Sequence, residues 1–280
     1  MSPVNTGILF LQFSSVINPK LLAKIVSAAV QKAEKLLYIK VKDLSLAENR
    51  IPTYNTIVNQ IYHVSSRSAI DRFDTRVILT DFRDSIMNLK DTRLNKLQTS
   101  CTIDTVITVN QENSYTECIL NKRNGTSHEV LQIDPQSNDS ETLLFVEHQK
   151  KNTTLSKAAD ENSMYDHVVI GGTFDHLHSG HKMLISAAIL RCKKSLTIGV
   201  TDSNMITTKK LWELIEPCQT RIKKLEEYLM DVEPRLEYRV VPITDLYGPT
   251  KDDPTLQVII LANYYLNFIS QCNICYLSCW

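Results

Sequence analysis

The chain has 280 residues, and 31 lysines and arginines balance 31 aspartates and glutamates, leaving no formal net charge. That balance excludes a bulk positive field of the kind that recruits nucleic acid or an acidic membrane, so any anion must be drawn by a local pocket. The length suits one large domain or two ordinary ones. Seven unevenly spread cysteines, and an apolar opening from Gly7 to Phe13 without a basic region before it, point to reduced thiols in the cytoplasm.

Gly7 to Phe13 reads as a buried strand. Asn18-Pro19 follows as a cap and first-turn proline for a helix from Lys20 to Lys35, with Leu22, Ile25, Val26, Ala29 and Val30 on its apolar face. Leu36 to Val41 is a second strand, Thr53 to His63 a second helix and Arg76 to Thr80 a third strand. This alternation predicts a parallel sheet with right-handed crossovers in a domain spanning 1–147. No catalytic constellation is visible in it: His63 is solitary and the acidic residues are scattered. Strands are expected within Cys101 to Val109 and Glu141 to Val146. The polar stretch between them, about 110–140, reads as a loop insertion, and 148–164 as a linker.

A second domain is expected over 165–254. It opens on His167 to Ile170, a short run that stops at Gly171-Gly172. A helical pattern begins at Ser179 to His181 and continues through Met183, Leu184, Ala187, Ala188 and Leu190. Strand, glycine turn and helix N-terminus together collect phosphate, because free amides and the positive dipole end point outward there. Thr173, His178 and His181 stand at that mouth. Ser195 to Val200 is the next strand, followed by a loop carrying Lys209 and Lys210. A helix from Pro217 to Met230 places Ile222, Leu225 and Leu229 on one side, with Arg221, Lys223, Lys224, Glu226 and Glu227 on the other. Leu236 to Val241 is a third strand, ending in the loop Ile243 to Pro249. In an open parallel sheet ligands sit beyond the carboxyl ends of the strands, so the three loops share an edge and a pocket.

The string Gly171-Gly172-Thr173-Phe174-Asp175, then His178-Ser179-Gly180-His181, resembles the T/H-x-G-H signature of the nucleotidyltransferases, and among them the phosphopantetheine adenylyltransferases. The match runs on through Gly199 to Asp202, Lys209, Glu213-Leu214, Pro217, Arg221, Val241 to Ile243, and Asp245 to Pro249. It is similar to the adenylyltransferase region of the animal bifunctional coenzyme A synthases. The resemblance implies a Rossmann-like, doubly wound α/β sheet preceded by a smaller α/β domain. It also implies transfer of AMP from ATP to 4′-phosphopantetheine, giving dephospho-coenzyme A and pyrophosphate, with Mg²⁺ accompanying ATP.

In that family's terms His181 donates to the ATP phosphates, His178 holds the β-phosphate region, and Thr173 orients the acceptor phosphate. Lys209, or its neighbour Lys210, neutralises charge between the substrates. Gly171, Gly172, Phe174, Asp175 and Gly180 shape the loop, Asp175 as a brace and Gly180 as room for phosphates. Asp245, Leu246 and Tyr247 resemble the segment lining the pantetheine arm. His176, His178 and His181 could be read as a zinc triplet, but no further Cys or His lies at helpful spacing, and no metal ligand is expected.

The resemblance stops at about Gln257. Thr255 to Trp280 contains no charged residue and ends in Cys272, Cys275 and Cys279. The family's late arginine- and glycine-containing segment and its Ser-rich ATP motif are absent, and no P-loop signature marks a kinase domain. Residues 255–280 read as an atypical tail of alternative splicing. The alternatives are a native sheet end with Val258 to Leu261 as a strand, and a membrane anchor, which Asn263, Asn267, Gln271 and Asn273 oppose. The expected partners are ATP and 4′-phosphopantetheine, with neither nucleic acid nor membrane, in the cytoplasm or at the mitochondrial surface. A catalytically impaired isoform, acting as a binding or regulatory module, is the second function expected. Self-association, or pairing with full-length subunits, is expected of either.

Overall fold

A computed structural model of the chain describes residues 4–12, 18–42, 50–68, 73–87, 99–109, 126–133, 162–207, 209–261 and 275–278. The chain divides into two compact units, Met1–Val146 and Glu147–Trp280.

The first unit runs β1 (Val4–Gln12), α1 (Pro19–Val30), β2 (Ala33–Lys42), α2 (Arg50–Ser68), β3 (Asp74–Ile78), α3 (Thr80–Met87), β4 (Thr105–Val109) and β5 (Ser127–Leu131). Its strands lie in the order β3-β2-β1-β4-β5, all parallel. The α1 cap forms as the sequence requires: Asn18 Oδ1 accepts from Lys20 N–H at 2.9 Å, with Pro19 in the first turn. The helix stops at Val30, short of the expected Lys35, because Ala33 onward is taken up by pairing with β1 from Val4. Inside the polar stretch read as a loop lies β5, which corrects that reading. Its polar residues are useful at the sheet's margin, where Ser127 and His128 hydrogen-bond to Thr105 and Thr108 of β4. The strand expected within 141–146 lies outside the described residues.

The second unit runs β6 (Tyr165–Gly172), α4 (Ser179–Arg191), β7 (Cys192–Thr201), α5 (Ser203–Ile206), α6 (Cys218–Val232), β8 (Glu237–Ile243), β9 (Val258–Leu261) and β10 (Cys275–Ser278). Short 3₁₀ turns occupy Asp175–Leu177, Trp212–Leu214 and Gly248–Lys251. The order is β10-β9-β6-β7-β8, again all parallel. Val168, Ile170, Leu196, Ile198, Val258 and Ile260 of the strands, and Leu225, Leu229 and Val232 of α6, are buried. This is a Rossmann-like α/β fold. In both sheets the first strand is central, with the second and third strands on one side and the fourth and fifth on the other. The chain reverses its winding between first and fourth strands, which opens a crevice at their carboxyl ends.

Of the three readings for the uncharged C-terminal stretch, the sheet end has Val258 to Leu261 as a strand, and there the structure places β9. It pairs Val168 with Val258 and Val169 with Ile259, and β10 pairs in turn with β9. The apolar composition of this stretch follows, since a strand enclosed on both sides reads as a continuous hydrophobic run. Among the described residues no helix is long and apolar enough to cross a membrane.

Candidate functional site

Three strand ends of the second sheet converge on one edge, and the turn after β6 is the most constrained. Phe174 and His176 both adopt left-handed backbone (φ 51° and 48°), which non-glycine residues rarely do outside constrained sites. Phe174 is buried and fills the space beside Gly172, where a Cβ would come within 3.2 Å of its ring. Asp175 fastens the turn from outside, its Oδ1 accepting from Glu216 N–H at 3.1 Å.

Helix α4 starts immediately afterwards, with His178 at its cap making no side-chain cap bond. The rings of His178 and His181 stack with centroids 3.8 Å apart, and Phe174 lies 5.2 Å from the His181 ring. Gly180 makes room for this stack rather than for a ligand directly: a Cβ there would meet the His178 ring at 3.1 Å. Burial first, then His178 and Lys209, push the His181 pKa down to about 3, so the imidazole is neutral. Its Nδ1 is buried and has no hydrogen-bond partner among the described residues. Burial also lowers His178, with Asp175 opposing and Lys182 assisting.

Lys209 reaches back from the loop after β7, and its Nζ donates to Thr173 Oγ1. Burial and Arg221 lower its pKa, and Asp175 opposes them. Lys210 makes no hydrogen bond or ion pair among the described residues, which favours Lys209 of the two neighbours. Arg221 departs furthest from expectation. Read as part of the polar face of α6, it is fully buried (0 % exposed). Its Nε donates to the Glu216 carbonyl at 2.7 Å, Nη1 to that of Thr173 at 2.6 Å and Nη2 to that of Thr201 at 2.8 Å. The signal was present in the spacing: Arg221, Leu225, Tyr228, Leu229 and Val232 form one helical stripe.

The loop after β8 is braced internally. Asp245 Oδ1 accepts from Tyr247 N–H at 2.9 Å and Gly248 N–H at 2.8 Å, and these bonds hold its pKa below the ordinary carboxylate value. Asn204 Nδ2 donates to the Thr244 carbonyl at 2.8 Å, and Asp202 N–H to that of Ile243 at 2.9 Å, tying the second loop to the third. Leu246 is exposed. Beside this loop a cavity of about 490 Å³ is lined by Arg239, Val241, Ile243, Asp245 and Pro249, among others, and not by Thr173, His178, His181 or Lys209.

The structure therefore brings Thr173, His178, His181 and Lys209 together on the frame of Gly171, Gly172, Phe174, Asp175 and Gly180, with Asp245 to Tyr247 on a neighbouring loop. Hydroxyl, ammonium and neutral imidazole are hydrogen-bond donors to phosphate oxygens. Among the described residues no group of three or more His, Cys, Asp or Glu side chains is placed to hold a metal ion. His176 is paired only loosely, with Asp175 at 3.6 Å.

Residues 169–273 match a family described as cytidylyltransferase-like. Over 93 residues the chain is 36% identical to a phosphopantetheine adenylyltransferase of Saccharomyces cerevisiae, covering 33% of this chain and 30% of the yeast protein. Over 98 residues it is 40% identical to a phosphopantetheine adenylyltransferase of Methanothermobacter thermautotrophicus, covering 35% of this chain and 57% of that one. A Pyrobaculum aerophilum protein of the same name is 38% identical over 98 residues, with 35% and 62% covered. The chain thus spans less than two thirds of each of these relatives. A solved Archaeoglobus fulgidus protein of unknown function is similar over 40% of this chain and 87% of its own, at 27% identity and a TM-score of 0.34.

Proposed function

We propose, taking residues 169–273 as a cytidylyltransferase-like domain, that this chain is a pantetheine-phosphate adenylyltransferase. It would transfer AMP from ATP to 4′-phosphopantetheine and release pyrophosphate. The observation that carries the reading is the meeting of Lys209 with Thr173 beside a neutral His178–His181 stack at the start of α4. The names of the yeast and archaeal relatives support the choice of substrates. A closer tie to the animal bifunctional coenzyme A synthases rests on the sequence pattern alone.

In this reaction an acceptor phosphate oxygen bonds to the α-phosphorus of ATP, and the bond from that phosphorus to the pyrophosphate oxygen breaks. The nucleophile is already ionised at neutral pH, so no general base is needed. The barrier lies in bringing two polyanions together and in the charge that grows on the leaving group. Catalysis is then positioning and electrostatic stabilisation. Thr173 and Lys209 hold the acceptor phosphate. His181, held neutral by burial, donates from Nε2, the ring nitrogen other than its buried Nδ1, to the oxygens of the transferring phosphorus. His178 and the first amides of α4 face the leaving phosphates. Asp245 to Tyr247 flank the pantetheine arm.

The donor set here does not make an oxygen cage for Mg²⁺, since Asp175 is committed to the Glu216 N–H. An ion arriving with ATP is held by its phosphates and water.

The test is a coupled pyrophosphate assay on the purified chain. Release should require both ATP and 4′-phosphopantetheine. His181→Ala should lower kcat about 10²-fold or more, the loss of one good transition-state donor, with the thermal midpoint little changed. A second reading is suggested by the composition from Thr255 to Trp280, which holds no charged side chain that could meet a phosphate. The chain would then bind its ligands without turnover, as a regulatory module. No turnover at saturating substrates, with calorimetric binding of 4′-phosphopantetheine retained, would select it.

A further inference from the structure

Arg221 has no exposed surface. Its hydrogen-bond partners are three backbone carbonyls, and among the described residues no acidic side chain lies at ion-pair distance from it. Carbonyl dipoles satisfy the guanidinium N–H groups but carry no net charge, and a buried cation without a counter-ion is costly. A second cation of the same sign, Lys209, lies within electrostatic reach of it, on Thr173 Oγ1. Asp175, the acid of this turn, has turned its Oδ1 to Glu216 N–H. The fold therefore gathers Arg221 and Lys209 under the mouth of the site, where Asp175 acts on Lys209 while Arg221 is left without an ion-pair partner among the described residues.

The three carbonyls come from different pieces of that mouth. Thr173 follows β6, Thr201 ends β7, and Glu216 precedes α6 and also holds Asp175. One planar fork spans all three at 2.6 to 2.8 Å, which a lysine, a point donor, could not reproduce.

We infer that Arg221 is a positioning residue that locks the two phosphate-side loops and the start of α6 into one frame, and that a bound phosphate or pyrophosphate anion completes its missing charge. The inference rests on the proposed function only in taking the ligand to be a phosphate anion. It does not need the transfer step.

The probe is inorganic pyrophosphate, titrated calorimetrically into the full chain and followed by its effect on the thermal midpoint. Pyrophosphate should bind the wild type and raise its midpoint. Arg221→Met should lose about tenfold or more in affinity, while Arg221→Lys, which keeps the charge, should stay within about threefold of wild type. A turnover loss in Arg221→Lys without a matching rise in KM would report the lost three-carbonyl span. Wild-type affinity in Arg221→Met, or equal loss in both variants, would overturn the inference. A merely structural arginine would lower the midpoint but leave the pyrophosphate shift intact.

Should Arg221→Met fail to fold, hydrogen exchange on the wild type decides. Pyrophosphate should protect peptides covering 172–177, 201–207 and 214–219 together, and protection of one alone would contradict a shared frame. Binding that depends on Arg221, without dephospho-coenzyme A formation, would leave this inference standing and remove the proposed function. No binding of pyrophosphate to the wild type would remove the inference.

Discussion

Burial, the stacked His178 ring and Lys209 hold His181 neutral, with a pKa of about 3 in the fold against an ordinary value near 6.5. In the unfolded chain His181 takes up a proton as pH falls through 6.5, and in the folded chain it does not until about 3. Its contribution to stability is therefore complete above 6.5 and declines as pH falls through that window, by an amount on the order of a few kcal/mol. Urea unfolding from pH 7 to pH 4 should show a steeper loss in the wild type than in His181→Asn. Parallel losses would mean that this imidazole does not carry the acid sensitivity. At this scale the sequence was informative where a residue's type and spacing were unusual together, as with Thr173, His178 and His181 around Gly180. It was misleading for Arg221, because polarity alone grouped that residue with the charged side of the helix while its helical spacing put it on the buried stripe. Lys209 and Lys210 could not be separated without the direction of the chain between them.

Ile243, at the end of β8, is gripped by glycines from two elements. A Cβ on Gly199 of β7 would lie 2.9 Å from Ile243 Cγ2, and one on Gly248, whose φ is +47°, would lie 2.7 Å from the same atom. Close approach of β7, β8 and the 3₁₀ turn at Gly248–Lys251 thus depends on two missing side chains. Gly199→Ala should destabilise by about 1–3 kcal/mol through overpacking. In the double variant with Ile243→Ala the two losses should sum to less than their separate values, because the clashing methyl is gone. Chemical denaturation of the four proteins in the cycle measures this, and strict additivity would refute the packing account.

Among elements, the β-branched and apolar strands were legible because burial on both faces forces that composition. The marginal strand β5 was not, since a strand at the sheet's edge keeps polar residues and imitates a loop. α1 lost its last expected turn because pairing with β1 outcompeted helix propensity from Ala33 onward.

For the whole molecule, each unit has its own parallel sheet and its own buried core, so the second should depend on its C-terminal strands without the first doing so. Truncation after Pro254 would remove β9 and β10 and uncover the edge of β6 at Val168 and Val169. The expected result is loss of native structure in residues 162–254, with protection from hydrogen exchange retained in the strands of residues 4–109. A truncated chain that keeps β6 and α4 protected would show that the late strands are dispensable. Composition predicted two α/β sheets from alternating patterns, and the three strand-end loops were placed correctly because parallel topology leaves them only one edge. The C-terminal stretch reads first as a foreign tail because a run without charges breaks the pattern before it, yet the same composition suits a strand in a sheet interior such as β9.

The pairing of β6 with β9 also sets an order of events on the ribosome. β6 emerges with the turn that follows it and acquires β7 as a neighbour after some thirty residues, but its other edge waits for Val258–Leu261, about ninety residues beyond β6. Until then the nascent strand carries the turn at 173–177 beside a row of unpaired amides and carbonyls, a template for any other extended chain. Slow or paused translation between the codons for residues 172 and 258 should therefore favour aggregation over the soluble product.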